Sequence, residues 1–167
     1  MANRTDLIRQ RLIDEGRKTA AFCQSLTPAQ LEQAVYQAGP AWRVRDLIAH
    51  LASTEREIHR LIRDILTGGQ GTPAGFNIDA FNAAETAALR GQAPAELAQD
   101  FAAARADTVA LVETLAEADL DRRGRHPFLG DAPLDDMLKL LYRHTMLHER
   151  DARKALEAGH PLPGAPE

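Results

Sequence analysis

The chain has 167 residues, of which 44% are hydrophobic and 26% are charged, and its formal net charge is −4. This composition predicts one globular domain with a substantial core and excludes an intrinsically disordered chain. The basic residues are interspersed with acidic ones, which argues against a nucleic-acid binder, and no stretch reaches the roughly 20 apolar residues of a membrane span.

The composition also predicts the compartment and the fold class. The single cysteine, Cys23, has no partner for an internal disulfide, and the first residues carry no apolar signal core, so a cytoplasmic protein is expected. Aromatic residues make up only 5%, and good helix formers dominate. Because no stretch of strand length alternates between apolar and polar residues, we predict an all-α domain.

The first half of the chain predicts two long helices and one short one. The first helix runs from about Thr5 to Ser25, with Thr5 as a candidate cap, and Thr27-Pro28 predicts a short second start. The next long helix runs from about residue 43 to 66. Its inner stripe at helical spacing consists of Val44, Leu47, Ile48, Leu51, Glu55, Ile58, Ile62 and Ile65. The glycine-rich stretch 67–75 is interpreted as a mobile connector, with a substrate lid as the alternative.

The second half predicts three more helices. They run from about residue 78 to 90, from 94 to about 116, and from 134 to 158. Asn82 and Glu85 lie on the inward face of the first of these, where they either line a pocket or form a local core network. Residues 117–133 are expected to be a long connector. Gly159 ends the last helix, and residues 160–167 are expected to be a disordered tail.

The lengths of these helices predict the architecture. Four of them have about 20 residues or more, which is long enough for a four-helix bundle, and the long connections allow a crossover topology. No internal repeat or domain boundary is evident, so residues 1–159 are predicted to form one domain. Dimerisation through a face of the bundle is compatible with the sequence, which does not decide it.

Two histidines stand in the middle of the apolar face of the last predicted helix. The other residues of that face are Leu134, Met137, Leu138, Leu141, Thr145, Ala152 and Ala155. His144 and His148 are one helical turn apart, so both rings can reach the same point. Apolar residues are expected at such positions, and a metal ion is the simplest way to satisfy two imidazoles there. A hydrogen-bonded structural pair is the alternative.

A metal site usually has at least three ligands, and the third must come from another helix. His50 is the best candidate because it lies mid-helix beside apolar residues, although the pattern alone leaves its role open. His59 is predicted to point to a different face and to be solvated. His126 precedes a proline in a loop and His160 lies in the tail, so neither position is expected to be rigid enough for a ligand.

Three neutral imidazoles on two facing helices would leave coordination positions open for water or substrate. Such a site can activate a water molecule, or stabilise a bound thiolate or enolate as a Lewis acid. The outer ring nitrogens also need partners, and carboxylates commonly fill that role. The carboxylates within reach are those of Asp151, Glu149 and Glu55.

Two stretches taken together resemble the DinB/YfiT-like superfamily of metalloenzymes. They are AWRVRDLIAHL at residues 41–51 and LYRHTMLHERD at residues 141–151. A tryptophan eight residues before one histidine, combined with a later H-x-x-x-H, is similar to the branch that includes the N-terminal domain of mycothiol-dependent maleylpyruvate isomerases. The segment NIDAFN at residues 77–82 also resembles that branch.

The resemblance implies a four-helix bundle of DinB/YfiT type with crossover connections, and one divalent metal held by His50, His144 and His148. It further implies a bacterial enzyme that acts on a small molecule, as a thiol transferase or isomerase-like protein. The expected cofactors are zinc or nickel together with a low-molecular-weight thiol such as mycothiol or bacillithiol. A non-catalytic stress-response protein that binds a metal or ligand, and a metal-assisted hydrolase that opens a reactive electrophile, are the alternatives.

Overall fold

The computed structural model describes residues 3–39 and 41–164. Its α-helices are Arg4–Ser25 (α1), Pro28–Leu31 (α2), Val44–Leu66 (α3), Ile78–Leu89 (α4), Pro94–Glu113 (α5) and Leu134–Ala158 (α6). A 3-10 helix at Glu117–Asp121 precedes two short strands, Arg123–His126 (β1) and Gly130–Pro133 (β2). The prediction of an all-α domain is therefore confirmed, apart from this small ribbon. None of the helices in the described ranges is long and apolar enough to cross a bilayer.

The four long helices form a bundle with crossover connections, as predicted. Helix α1 packs mainly against α5 and α6, and α3 packs against the same two helices. The consecutive long helices α1 and α3 thus lie diagonally across the bundle, and so do α5 and α6. Helix α4 packs on the outer side of α3 and is not one of the four bundle helices.

Local signals set the helix ends. The side chain of Asn3 accepts a hydrogen bond from the backbone N–H of Asp6 and caps α1, so the predicted cap, Thr5, instead lies inside the first turn. Thr27 caps α2 in a reciprocal capping box with Gln30. Gly159, with a φ of 70°, ends α6 in the left-handed conformation, where a side chain would be strained.

The expected long connector at residues 117–133 is wrong in part, because it contains an antiparallel hairpin. Each strand has only four residues, which is too short to produce a recognisable alternation. The hairpin packs closely on α3 through Gly124, where a Cβ atom would lie 2.5 Å from the Ile65 side chain. The glycine-rich loop after α3 is tied to the same strand, since Thr72 donates to the carbonyl of Arg125 at 2.8 Å.

Polar side chains form a layer across the middle of the bundle, between two apolar halves. One half surrounds Trp42 and Leu47, and the other surrounds Ile62 and Leu138. Each long helix contributes apolar residues to both halves and buried polar residues between them. These polar residues include Glu15 and Thr19 on α1, His50, Ser53 and Glu55 on α3, Arg105 and Thr108 on α5, and Thr145, His148 and Asp151 on α6. Helix α3 begins in the half around Trp42 and ends in the half around Ile62, whereas α6 passes through the two halves in the opposite order. The two helices are therefore antiparallel.

The expected disordered tail begins at residue 160, and residues 165–167 lie outside the described part of the chain. Within that part, the backbone N–H of Leu162 donates to the carbonyl of Val35 at 2.8 Å. The carbonyl of Leu162 accepts from Gln37 at the same distance. These bonds hold the chain after α6 against the loop that leads into α3.

Candidate metal centre

The three histidines predicted to form a metal site converge in the polar layer. Nε2 of His144 lies 3.0 Å from Nε2 of His50 and 3.0 Å from Nε2 of His148. Each residue offers one nitrogen, and the three nitrogens lie within 4.8 Å of one another. His50 comes from α3, while His144 and His148 come from successive turns of the antiparallel helix α6.

Aromatic and apolar packing holds the ring of His50 in place. The indole of Trp42 lies over it, with ring centroids 4.6 Å apart and an interplanar angle of 34°. The backbone N–H of Val35 donates to the backbone carbonyl of Trp42 at 2.9 Å, and this bond holds Trp42 in place. The hydroxyl of Thr54, one turn along α3, lies 3.5 Å from Nδ1 of His50, at the long limit of a hydrogen bond.

A tyrosine from the loop after α2 orients the third ring. The hydroxyl of Tyr36 lies 3.1 Å from Nδ1 of His148 and 3.3 Å from a carboxylate oxygen of Asp151. A hydroxyl has one proton, and the carboxylate can only accept, so Tyr36 donates to Asp151 and accepts from His148. The proton of His148 is thereby placed on Nδ1, which leaves a lone pair on Nε2 at the centre of the cluster.

The three nitrogens fit a divalent cation better than they fit one another. A neutral imidazole carries one proton, and Nε2 of His144 can direct a hydrogen bond at only one of its two close neighbours. Without a cation, at least one of the two 3.0 Å contacts would therefore bring two ring nitrogens together without a hydrogen bond between them. Nitrogens held about 2.0–2.1 Å from one ion lie roughly 3 to 3.4 Å apart, which is close to the two separations of 3.0 Å that Nε2 of His144 makes.

Burial keeps the imidazoles in the neutral form that a metal ligand requires. Burial, followed by the charge of His50, lowers the pKa of His148 to about 3. The pKa values of His50 and His144 are also held well below their usual range, in each case mainly by burial and then by a neighbouring histidine. Charging these rings would place like charges in contact within the bundle.

A cavity of about 940 Å³ opens beside the three rings. Its walls come from α3, α4 and α6, and from the tips of the glycine-rich loop and the hairpin. The walls are mostly apolar and include Ile58, Leu61, Phe76, Phe81, Met137, Leu140, Leu141 and Leu147. His144 is half-buried and faces this space, so a ligand in the cavity would have access to the centre of the cluster.

The carboxylates expected to hold the outer ring nitrogens have other partners. Glu55 forms a buried ion pair with Arg105, with distances of 2.6 and 2.9 Å, and Glu149 accepts from Thr19 at 2.7 Å. Asp151 is connected to His148 through Tyr36 rather than directly. In the described ranges, no carboxylate makes a hydrogen bond to any of the three rings.

Asn82 and Glu85, both on α4, lie in different environments. Asn82 lines the cavity, as one of the two interpretations of the sequence proposed. Glu85 does not line it and instead lies 3.5 Å from Arg56 in a half-exposed ion pair. An isolated polar residue on an inward helix face does not reveal by itself which of these environments it will meet.

Sequence reasoning missed three buried polar residues around the site: Tyr36, Arg105 and His126. Only for Arg105 did the sequence hold a signal, because Glu55 on an inward helix face requires a buried cation. The prediction that His126 lies in a flexible loop is wrong, because it ends strand β1 and is only 5% exposed. The ring of His126 also lines the cavity.

The family model of the DinB superfamily matches residues 11–152. No curated protein sequence matches the chain.

Solved structures share the fold. YfiT from Bacillus subtilis, described as a probable metal-dependent hydrolase with an unusual four-helix bundle topology, superposes with a TM-score of 0.77 at 20% identity, over 93% of this chain and 88% of that one. A mycothiol-dependent maleylpyruvate isomerase superposes with a TM-score of 0.71 at 18% identity, over 91% of this chain but only 63% of its own length. At such identities the likeness establishes the fold and not the activity.

Proposed function

The chain belongs to the DinB superfamily, and we propose that it is a divalent-metal-dependent enzyme of thiol chemistry, a thiol S-transferase or isomerase-like protein. His50, His144 and His148 are its metal ligands in this proposal. The substrate is a small molecule that enters the cavity beside them, and the thiol is of low molecular weight, such as mycothiol or bacillithiol.

The observation that carries the proposal is the convergence of three imidazole nitrogens, from two buried rings and one half-buried ring, at the wall of a large cavity. Three protein ligands beside open space are typical of catalytic metal sites, whereas structural sites are closed by four protein ligands. Among the described residues no fourth histidine, cysteine or carboxylate joins the cluster. The non-catalytic alternative therefore has less support than an enzyme.

The residues around the cluster have separate roles in this chemistry. A bound divalent ion would supply a Lewis acid that lowers the pKa of a coordinated thiol. Tyr36 and Asp151 hold His148 in the tautomer that presents its lone pair, and Trp42 fixes the plane of His50. The apolar walls of the cavity exclude water and shelter the thiolate from protonation.

Thiol chemistry is favoured over the hydrolytic alternative by the surroundings of the three rings. Hydrolysis by an activated water commonly uses a carboxylate or histidine nearby as a general base. The carboxylates that line the cavity are Glu57, Asp64 and Asp79, and none of them contacts the metal cluster. His126 also lines the cavity, but its Nδ1 lone pair already accepts from the backbone N–H groups of Phe128 and Leu129. A coordinated thiol needs no such base, since the metal itself promotes its deprotonation.

The first prediction concerns metal content. The wild-type protein should bind about one divalent ion per chain, and His144→Ala should lose it because two imidazoles hold a metal weakly. His160→Ala is the matched control, since that ring lies on the surface outside the cluster. Elemental analysis after dialysis provides the measurement, and full metal retention in His144→Ala would contradict the ligand assignment.

The same proteins test the reaction class. Metal-loaded wild type is incubated with a panel of thiols and 1-chloro-2,4-dinitrobenzene. Thiolate attack forms the carbon–sulfur bond, chloride leaves, and the thiol proton passes to solvent. Conjugate formation that depends on one thiol, and that is lost in His144→Ala but kept in His160→Ala, would support the proposal. Metal binding without conjugate from any thiol would favour a binding protein, and hydrolysis of an ester probe alone would favour the hydrolase.

A further inference from the structure

His126 lies at the end of β1 with its ring buried between the hairpin and the cavity. The ring is 5% exposed, and its Nδ1 lies 3.1 Å from the backbone nitrogen of Phe128 and 3.2 Å from that of Leu129. Both backbone groups are donors, so Nδ1 accepts from each. These two bonds fix the turn that joins the two strands.

The same bonds determine the tautomer. A ring nitrogen that accepts hydrogen bonds carries the lone pair, so the proton of His126 is on Nε2. Burial lowers the pKa of His126 to about 4, which agrees with a neutral ring near pH 7. In the described ranges Nε2 makes no hydrogen bond to the protein, and it is not one of the enclosed polar atoms that lack a partner, so it borders open space.

The unpartnered N–H belongs to a ring in the wall of the cavity. The ring is near the metal cluster, since His126 is one of the groups that lower the pKa of His144. None of the polar side chains that line the described cavity makes a hydrogen bond to Nε2 of His126. A ligand, rather than the protein, is therefore the natural acceptor.

We infer that His126 is a substrate-positioning residue whose Nε2–H donates a hydrogen bond to a carbonyl or carboxylate oxygen of the ligand in the cavity. The inference rests on the proposed function and adds a substrate class to it. The favoured ligand has a sulfur at the metal cluster and an oxygen acceptor along an otherwise apolar body. A purely hydrocarbon thiol would cover this donor without giving it a partner.

Two substitutions separate this role from the structural one. In His126→Asn the side-chain carbonyl stands near the place of Nδ1, so it can accept from Phe128 and Leu129 while the outer donor is lost. In His126→Gln the longer side chain carries its amide N–H₂ near the place of Nε2, so it should restore the donor. Equal metal content and equal melting temperature in the three proteins establish that fold and cluster are intact.

The test uses the cobalt-substituted protein and two thiols of matched size, N-acetylcysteamine and 4-methylpentane-1-thiol. The thiolate-to-cobalt charge-transfer band reports the affinity of each thiol. His126→Asn should weaken N-acetylcysteamine by about 5- to 10-fold, the effect of one neutral hydrogen bond, and change the hydrocarbon thiol by less than about twofold. His126→Gln should recover most of the affinity for N-acetylcysteamine.

Equal changes for both thiols in His126→Asn would overturn the inference and leave the proposed function standing. Absence of the charge-transfer band with both thiols in wild type would instead overturn the proposed function. In that case, or if His126→Asn fails to fold, nitrogen NMR of the wild-type zinc protein tests the role of His126 by showing which ring nitrogen carries the proton. A proton on Nδ1 would overturn the inference, whereas a proton on Nε2 that shifts with N-acetylcysteamine and not with the hydrocarbon thiol would support it.

Discussion

At the scale of single residues, the hydroxyl of Tyr36 controls which nitrogen of His148 faces the cluster. It accepts the Nδ1 proton of His148 and donates its own proton to Asp151. Burial and the nearby Asp151 carboxylate raise the pKa of Tyr36, so the hydroxyl keeps its proton at neutral pH. The bridge thus holds an uncharged ring in the tautomer suited to a metal.

Tyr36→Phe should therefore weaken metal binding without unfolding the protein. Loss of a partner on the outer nitrogen of a histidine ligand typically costs about 10- to 100-fold in metal affinity. Tyr142→Phe is the matched control, because Tyr142 is the other tyrosine of the chain and lies outside the cluster. Competition with a chelating dye measures both affinities. Equal affinities in the two variants would show that the tautomer of His148 does not depend on Tyr36.

Sequence reasoning found part of this site. The spacing of His144 and His148 predicts that they share a helix face, because helical geometry is local. Tyr36 could not be found in that way, since it lies in a loop 112 residues before His148 and no periodicity connects them. His50 became a firm candidate only through the resemblance to a known family, because its own helix pattern leaves its role open.

At the scale of the elements, Arg105 connects all four long helices of the bundle. From α5 it donates to Glu55 on α3 at 2.6 and 2.9 Å, to the carbonyl of Leu12 on α1 at 3.0 Å and to Thr145 on α6 at 2.9 Å. Gly16 on α1 leaves room for its aliphatic part, since a Cβ there would lie 2.8 Å from Cγ of Arg105. The polar layer is therefore satisfied internally on the side of the bundle that Arg105 occupies.

Replacing Arg105 with methionine should cost about 3–5 kcal/mol in the free energy of unfolding, because it leaves the carboxylate of Glu55 buried without a partner. Adding Glu55→Leu should recover most of the loss, since apolar side chains can replace a buried ion pair at little cost. Arg9→Met is the control, because its ion pair with Glu113 is exposed and contributes less than about 1 kcal/mol. Denaturant unfolding measures all three, and equal losses for Arg105→Met and Arg9→Met would contradict the role of the layer.

The elements themselves were predictable where they are long. Helix α6 begins and ends where predicted, because a stripe of apolar residues at helical spacing extends over its whole length and glycine follows it. The hairpin was not predictable, because each of its strands has only four residues, and its place depends on contact with α3 and the glycine-rich loop. Tertiary contacts of that kind leave no periodic signal in the sequence.

At the scale of the whole molecule, the metal cluster connects two helices that run in opposite directions. His50 and the pair on α6 lie between the two apolar halves of the bundle, where the polar layer interrupts the hydrophobic core. The halves are held together across this layer by polar contacts and, in our proposal, by the metal. An ion bound there would resist separation of α3 from α6.

Metal should therefore raise the melting temperature of the protein. A ligand that binds only the folded state at about 1,000 times its dissociation constant adds roughly 4 kcal/mol of stability. For a domain of this size that corresponds to roughly 8–16 °C, which scanning calorimetry with and without zinc can measure.

His50→Ala should abolish this shift, because it removes the only ligand that α3 contributes to the described cluster. His59→Ala lies on the same helix and serves as the matched control, since its ring contacts Thr108 rather than the cluster and the metal-dependent shift should persist. A shift of similar size in His50→Ala would mean that zinc stabilises the protein from another site. A shift kept in His59→Ala and lost in His50→Ala would show that zinc stabilises the protein by connecting α3 to α6 at the cluster.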